Sequence, residues 1–195
     1  MNKGLLMVVS GPSGVGKGTL LKKIKEDPSL NLAYSISMTT RKPREGEQDG
    51  VDYYFVSRDQ FEKAVEEGQM LEHAQFVGNC YGTPKKPVEK LLEDGRNVLL
   101  EIECDGAGQV MKAAPDCFSV FILPPSIEEL QNRLEGRQSE DAATIAKRVE
   151  KAKGEMALAP QFGHQVVNDD RKRAEDELHA LIYNAIEENG TLAAE

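Results

Sequence analysis

The sequence predicts a layered α/β fold built on a parallel sheet, and three observations carry that reading. Four runs, Leu5–Val9, Asn97–Glu103, Cys117–Leu123 and His164–Val167, are strand-length and rich in apolar residues, as strands buried on both faces are. Helical patterns lie between them, so strand and helix alternate along the chain. The first run passes directly into Gly11-Pro-Ser-Gly-Val-Gly-Lys-Gly-Thr19 and then a helical stripe, the strand–loop–helix order that a phosphate-binding P-loop needs.

Backbone N–H groups of that loop converge as positive dipoles on a polyphosphate. Gly11, Gly14 and Gly16 let the main chain approach it closely, and Lys17 adds a point charge for its terminal oxygens. The expected nucleotide-phosphate loop is therefore Gly11, Pro12, Ser13, Gly14, Val15, Gly16, Lys17, Gly18 and Thr19. Gly18 stands where such loops usually carry the Ser or Thr hydroxyl that helps hold Mg²⁺. Thr19 comes one place later and points about 100° further round a helix. Direct metal ligation by this loop is not expected; a Mg²⁺ would be held by the nucleotide and water.

The remaining elements follow in order. Leu20, Leu21 and Ile24 mark a helix over Thr19–Lys25. Residues from about Ser35 to Thr83 interrupt the alternation with clustered Gly, Tyr and Arg, and hold one short helix opened by the capping box Ser57-Arg-Asp-Gln60. Pro87 to Asp94 forms a helix that starts on a proline and stops at Gly95. A second interruption, from about Ser126 to Met156, is charged and helical and begins with Ser126-Ile-Glu-Glu129. The last helix lines up Leu178, Leu181, Ile182, Ala185 and Ile186 and ends at Asn189-Gly190, so the sequon Asn189-Gly190-Thr191 reads as a helix end. Ligands of such folds sit at the carboxyl ends of the strands, where the P-loop also lies.

Bulk properties narrow the function classes. The 195 residues fit one domain of ordinary size with two insertions at its working edge. A net charge of −9 argues against a nucleic-acid binder, which needs a broad basic surface. No apolar run approaches the roughly 18 residues of a membrane span, and no signal-peptide pattern opens the chain. Three cysteines, Cys80, Cys104 and Cys117, lack metal-like spacing and suit a reducing cytoplasm. His73, His164 and His179 sit in contexts that suggest no catalytic role.

The first insertion supplies a second constellation. Pro43 disfavours helix at Lys42, so Arg41 and Arg44 sit in a loop and can converge. Two guanidinium groups with the hydroxyls of Tyr53 and Tyr81 make a cradle for one dianionic phosphate.

Taken together the motifs resemble the guanylate kinase family over nearly the whole chain. The likeness runs through Gly11–Lys17, Ser37-Met-Thr-Thr-Arg41-Lys-Pro-Arg44-Glu-Gly-Glu47, Asp52-Tyr-Tyr-Phe55, Leu71-Glu72, Tyr81-Gly-Thr83 and Leu100-Glu-Ile-Glu103. It continues through Arg133-Leu134, Arg137, Ile145-Ala-Lys-Arg148 and Val167-Asn168-Asp169. The resemblance implies a P-loop kinase core over 1–34, 85–125 and 157–195, a GMP-binding insertion over 35–84 and a helical lid over 126–156. It implies ATP and GMP as partners, with no nucleic acid and no membrane, in cytoplasmic purine nucleotide metabolism; self-association is left open. GMP, and dGMP with it, would be phosphorylated at the expense of ATP.

Residue roles follow from the same resemblance. Arg41, Arg44, Tyr53 and Tyr81 would hold the GMP phosphate, and Ser37, Glu72 and Thr83 would read guanine. The chemistry agrees, because a carboxylate accepts from guanine N1–H and N2–H₂ while hydroxyls donate to O6. Glu101 and Glu103 fall with guanine or with metal-bound water; the family more often carries Asp there, and Gln where this chain has Asp105. Arg133, Arg137 and Arg148 would bridge the transferring phosphoryl group from the lid, and Asn168 would meet the ATP nucleoside. Lys17, Arg41, Arg44, Arg137 and Arg148 form the expected catalytic set, and Mg²⁺ the nucleotide-bound cofactor without a dedicated protein ligand. Gln-Ser-Glu140 follows Arg137 where the family often has Gly-x-Asp. Two rival readings, a protein-binding module of the same fold and a kinase of another phosphorylated acceptor, do not call for Lys17, Arg41, Arg44 and Glu72 together.

Overall fold

The computed structural model describes residues 2–76, 78–136 and 142–193. Its main sheet comprises β1 (Leu6–Ser10), β2 (Leu32–Ala33), β7 (Asn97–Glu101), β8 (Phe118–Leu123) and β9 (His164–Val167), in the order β2-β7-β1-β8-β9. Every pairing in it is parallel. Strand β1 is central, so the P-loop leaves the middle of the sheet at the strands' carboxyl edge.

Alternation along β1 builds a core on each face, because successive side chains point to opposite sides. Met7 and Val9 pack with Leu20, Leu21, Ile24, Leu178, Ile182 and Ile186 on one face. Leu6 and Val8 pack with Val88, Leu92, Val110, Phe121 and Phe162 on the other. Each fully buried Leu, Ile or Phe contributes about 1.5–3 kcal/mol by leaving water.

The helices are α1 (Lys17–Leu20), α2 (Lys22–Glu26), α3 (Arg58–Glu66), α4 (Lys85–Glu93), α5 (Cys104–Ala113), α6 (Ile127–Glu135), α7 (Ala142–Met156) and α8 (Arg171–Asn189). The helix expected over Thr19–Lys25 begins two residues earlier, on Lys17, and is divided at Leu21, where φ −80° and ψ −8° depart from α-helical values. Helix α4 likewise begins at Lys85, with Pro87 in its first turn. The strand expected to reach Glu103 stops at Glu101, and Glu103 instead precedes α5, a helix that periodicity did not reveal. The capping box at Ser57 forms as read: Ser57 accepts from the Gln60 N–H and Gln60 from the Ser57 N–H. At Ser126 only the first half of the expected box is seen, its hydroxyl accepting from the Glu129 N–H.

The first insertion folds as a smaller sheet, ordered β4 (Tyr54–Phe55), β3 (Met38–Thr39), β6 (Asn79–Pro84), β5 (Met70–Phe76). A third apolar cluster, Leu130, Leu134, Ile145, Val149 and Ala152, joins α6 to α7 independently of the main core. Among the described residues no helix is long and apolar enough to cross a membrane.

Candidate active site

The P-loop is shaped by its close neighbours. Gly11 passes so near β8 that a Cβ there would stand 2.4 Å from the Ile122 carbonyl oxygen. Gly16 has φ 98°, a left-handed conformation suited to glycine, and a Cβ on it would meet Asn168 Nδ2 at 2.8 Å. That same Nδ2 donates to the Val15 carbonyl at 2.8 Å, so Asn168, at the end of β9, pins the loop from outside. Lys17 Nζ donates to the Gly11 carbonyl at 2.6 Å, which curls the ammonium over the loop.

Two arginines of the second insertion converge on this loop. Arg148 of α7 donates to Ser13 Oγ at 2.6 Å. Arg133 of α6 donates to the Asn168 carbonyl at 2.9 Å and is oriented by Glu129 at 3.1 Å. Residue Arg137, assigned to the same cluster from sequence, lies outside the described residues.

A second cluster lies in the smaller sheet. Arg41 makes a fork-to-fork pair with Glu47, at 2.9 Å and 2.8 Å, and its guanidinium stands 5.3 Å from the Tyr53 ring centroid. Glu47 also accepts from the Arg44 N–H at 2.6 Å. The Arg41 hydrogen bonds, before all else, lower the Glu47 carboxyl to about 2, and the Glu47 bonds raise Arg41, with Tyr81 as a further partner. Tyr53 and Tyr81 meet edge to face at 6.3 Å, as the register of β3 against β4 and β6 dictates. Glu47 belongs to a motif quoted above without a role; its two arginine neighbours in sequence were the available signal.

Glu72 of β5 and Thr83 of β6 are register partners, and Thr83 Oγ1 donates to Glu72 Oε1 at 2.6 Å. Glu72 is only 9% exposed, and burial raises its carboxyl despite the Thr83 bond. Its other oxygen faces α5, where a Cβ on Gly106 would be 3.0 Å away. Gln109 clamps that arrangement by bonding both the N–H and the carbonyl of His73, each at 3.0 Å. Ser37 anchors the neighbouring strand: its carbonyl accepts from the Tyr54 N–H at 2.9 Å.

The acids at the end of β7 and just after it are both paired with lysines. Glu101 pairs with Lys25 at 2.6 Å, and Glu103 with Lys151 of α7 at 3.4 Å. Lys151 also pairs at 3.3 Å with Glu155, a buried acid that sequence reading passed over and whose Oε2 has no partner among the described residues. Burial pushes the neighbouring Cys104 thiol upward, so it is not poised as a thiolate nucleophile. Among the described residues no three His, Cys, Asp or Glu groups converge to hold a metal ion. The carboxylate of Glu101 beside the loop, paired with Lys25 through one oxygen, fits a hydrated Mg²⁺ carried by a nucleotide, which needs acceptors for its waters more than ligands.

Comparison with known proteins gives the family. The guanylate kinase family model matches residues 3–185. A protein of Latilactobacillus sakei named guanylate kinase is 51% identical over 181 residues, covering 93% of this chain and 89% of that protein. One of Listeria innocua, of the same name, is 49% identical over 180 residues, covering 92% and 88%. The crystal structure of guanylate kinase from Anaplasma phagocytophilum superposes with a TM-score of 0.68 at 31% identity, covering 100% of this chain and 92% of that one. By the extent of these matches, this chain belongs to the guanylate kinase family.

Proposed function

We propose that this protein transfers the γ-phosphoryl group of ATP to GMP, giving ADP and GDP, and that dGMP is also accepted. The observation that carries the acceptor assignment is the buried Glu72–Thr83 pair at 2.6 Å, in a sheet whose β3–β4 connection carries Arg41 and Arg44. A carboxylate buried without a cation gains from a ligand that brings two N–H donors, and guanine N1–H and N2–H₂ do so. Adenine presents an unprotonated N1 and would leave the carboxylate unpaired. A polar site of this kind discriminates by roughly 10⁴-fold.

In this reading residues 35–84 bind GMP, 126–156 act as a lid, and the rest forms the ATP-binding core. The smaller sheet and the separate apolar cluster of α6 and α7 support that division. Arg41, Arg44, Tyr53 and Tyr81 grip the acceptor phosphate. Lys17 leaves the Gly11 carbonyl for the β and γ oxygens, while Arg133, Arg148 and the lid residue Arg137 offset charge on the group in flight. Nucleotide-bound Mg²⁺ supplies further charge neutralisation on the phosphates. The attacking oxygen is already ionised near pH 7, so no general base is required, and positioning carries the rate. Closure of the lid excludes water, the competing acceptor. Three free thiols suit the reducing cytoplasm, where we place the reaction.

The test is ADP formation from Mg·ATP with GMP, dGMP, AMP, CMP or UMP as acceptor. Turnover is expected with the guanine nucleotides alone, and Lys17→Ala should lower kcat by about 100-fold or more. Equal use of AMP would sink the guanine assignment.

A further inference from the structure

Strand β5 is an edge of the smaller sheet, and every second residue of an antiparallel edge strand turns its N–H and carbonyl away from the sheet. His73 is such a residue. Its N–H donates to Gln109 Oε1 and its carbonyl accepts from Gln109 Nε2, each at 3.0 Å. A carboxamide carries an acceptor and a donor side by side, as a peptide unit does, so Gln109 completes the edge as a neighbouring strand would. Gln109 lies on α5, whose Cys104, Ala107 and Val110 pack into the core beneath the main sheet. The two bonds therefore join the insertion to the core.

The strand pairing alone does not set where Glu72, the preceding residue, points. The register of β5 against β6 shifts between Met70 and Glu72, an irregularity of the kind that re-aims a side chain. Glycines flank the site: a Cβ on Gly82 would stand 2.6 Å from the Glu72 carbonyl oxygen, and one on Gly106 would stand 3.0 Å from Oε2. Those glycines give Glu72 room without holding it, and the Thr83 hydroxyl fixes Oε1 alone. Gly106 and Gln109 are spaced i, i+3 on α5 and share a face. The helix thus meets β5 twice, making room at Glu72 and gripping at His73.

We propose that Gln109 is a positioning residue that sets specificity for the acceptor base. By gripping the His73 backbone it fixes the depth and angle at which the Glu72 carboxylate meets guanine. Without that grip the irregular segment before Glu72 lets β5 shift along α5, and one carboxylate can no longer align with both N1–H and the 2-amino group. GMP then loses more than IMP, whose base keeps N1–H and O6 but has no 2-amino group to misalign. The inference rests on the guanine-reading half of the proposed function and extends it to a residue outside the nucleotide contacts.

The experiment compares kcat/KM for GMP and for IMP in the parent, Gln109→Met, Glu72→Gln and the double variant. Methionine matches the length of glutamine and makes neither bond. Gln109→Met should lower the GMP-to-IMP ratio by about tenfold, with the ATP KM within about twofold of the parent. A merely structural role would lower both rates together and leave the ratio where it was. Glu72→Gln should also lower the ratio, and adding Gln109→Met should change it by no more than about twofold further, since both act through one carboxylate. Amide hydrogen exchange reads the grip without turnover: the His73 N–H should exchange about tenfold faster or more in Gln109→Met. Gln109→Ala, which removes the same two bonds, should move both readings in the same direction. An unchanged ratio, or unchanged His73 exchange, would overturn the role of Gln109 and leave the proposed reaction standing. A parent protein that phosphorylates no guanine nucleotide would overturn both.

Discussion

Arg41 illustrates how far a single residue can be understood from its neighbours. Its fork-to-fork bond to Glu47 holds the guanidinium beside the adjoining rings of Tyr53 and Phe55, at 5.3 Å and 5.7 Å from their centroids. Such pre-organisation removes rotamer entropy that a flexible cation would lose on meeting a phosphate. Glu47→Gln keeps the shape but breaks the charged fork, so GMP kcat/KM should fall by about ten- to a hundredfold while ATP KM stays near the parent value. An equal rise in both KM values would instead mean general loosening. The pH sign follows from the depressed carboxyl. Its folded value of about 2 lies below the ordinary 4.5, so the pair's contribution is complete above 4.5 and is lost as pH falls through about 2. From about pH 5 upward, GMP binding should therefore show no titration that Glu47→Gln removes. The two arginines were legible from sequence, but the carboxylate that orients Arg41 was not: nearness to the arginines narrows the choice to Glu45, Glu47, Asp49 and Asp52 without showing which one folds back.

Helix α5 marks the boundary of what element-level reading can reach. Its core residues Cys104, Ala107 and Val110 follow helical spacing, but Gly106 and Gly108 between them dilute the pattern below recognition. The structure gives Gly106 a reason: a side chain there would stand 3.0 Å from Glu72 Oε2. The residue that hides the helix is the one that leaves room for the Glu72 carboxylate beside it. Strands β1, β7 and β8 were visible because burial on both faces leaves nearly unbroken apolar runs, whereas the two-residue strands β2, β3 and β4 carry too few positions to show any period. Gly106→Ala should therefore act with opposite signs on two properties. Helix propensity favours alanine by about 1 kcal/mol, so thermal stability should hold or rise. The GMP KM should rise about tenfold as Glu72 is displaced, with ATP KM unaffected. Loss of stability together with an unchanged GMP KM would show that the contact does not govern the base site.

At the scale of the whole molecule, the edge of the sheet opposite the P-loop is closed by one fully buried asparagine. Asn97, the first residue of β7, donates to the carbonyls of Leu30 at 2.8 Å and Thr191 at 3.0 Å. Its carboxamide oxygen accepts from the Leu5 N–H at 2.9 Å and from the Thr191 hydroxyl at 2.7 Å. One side chain thereby ties β1, the turn before β2, β7 and the segment after α8, which lie far apart in sequence. The last of these follows Gly190, whose φ of 69° ends α8 in the left-handed turn expected from Asn189-Gly190. Leucine at 97 would fill similar space but strand the amide of Leu5 and the carbonyl of Leu30, each buried polar loss costing about 1–3 kcal/mol. Asn97→Leu should thus cost about 2–4 kcal/mol and, at about 2–4 °C per kcal/mol for a chain of this size, lower the melting temperature by about 5–15 °C. Because the knot lies at the amino ends of the strands, away from the P-loop and from the proposed GMP site, the KM values for ATP and GMP below the transition should match the parent. Thermal unfolding followed by circular dichroism, beside steady-state kinetics at low temperature, separates the two effects. A melting point within about 2 °C of the parent would mean that Asn97 is replaceable and that the apolar faces alone hold the sheet's ends together.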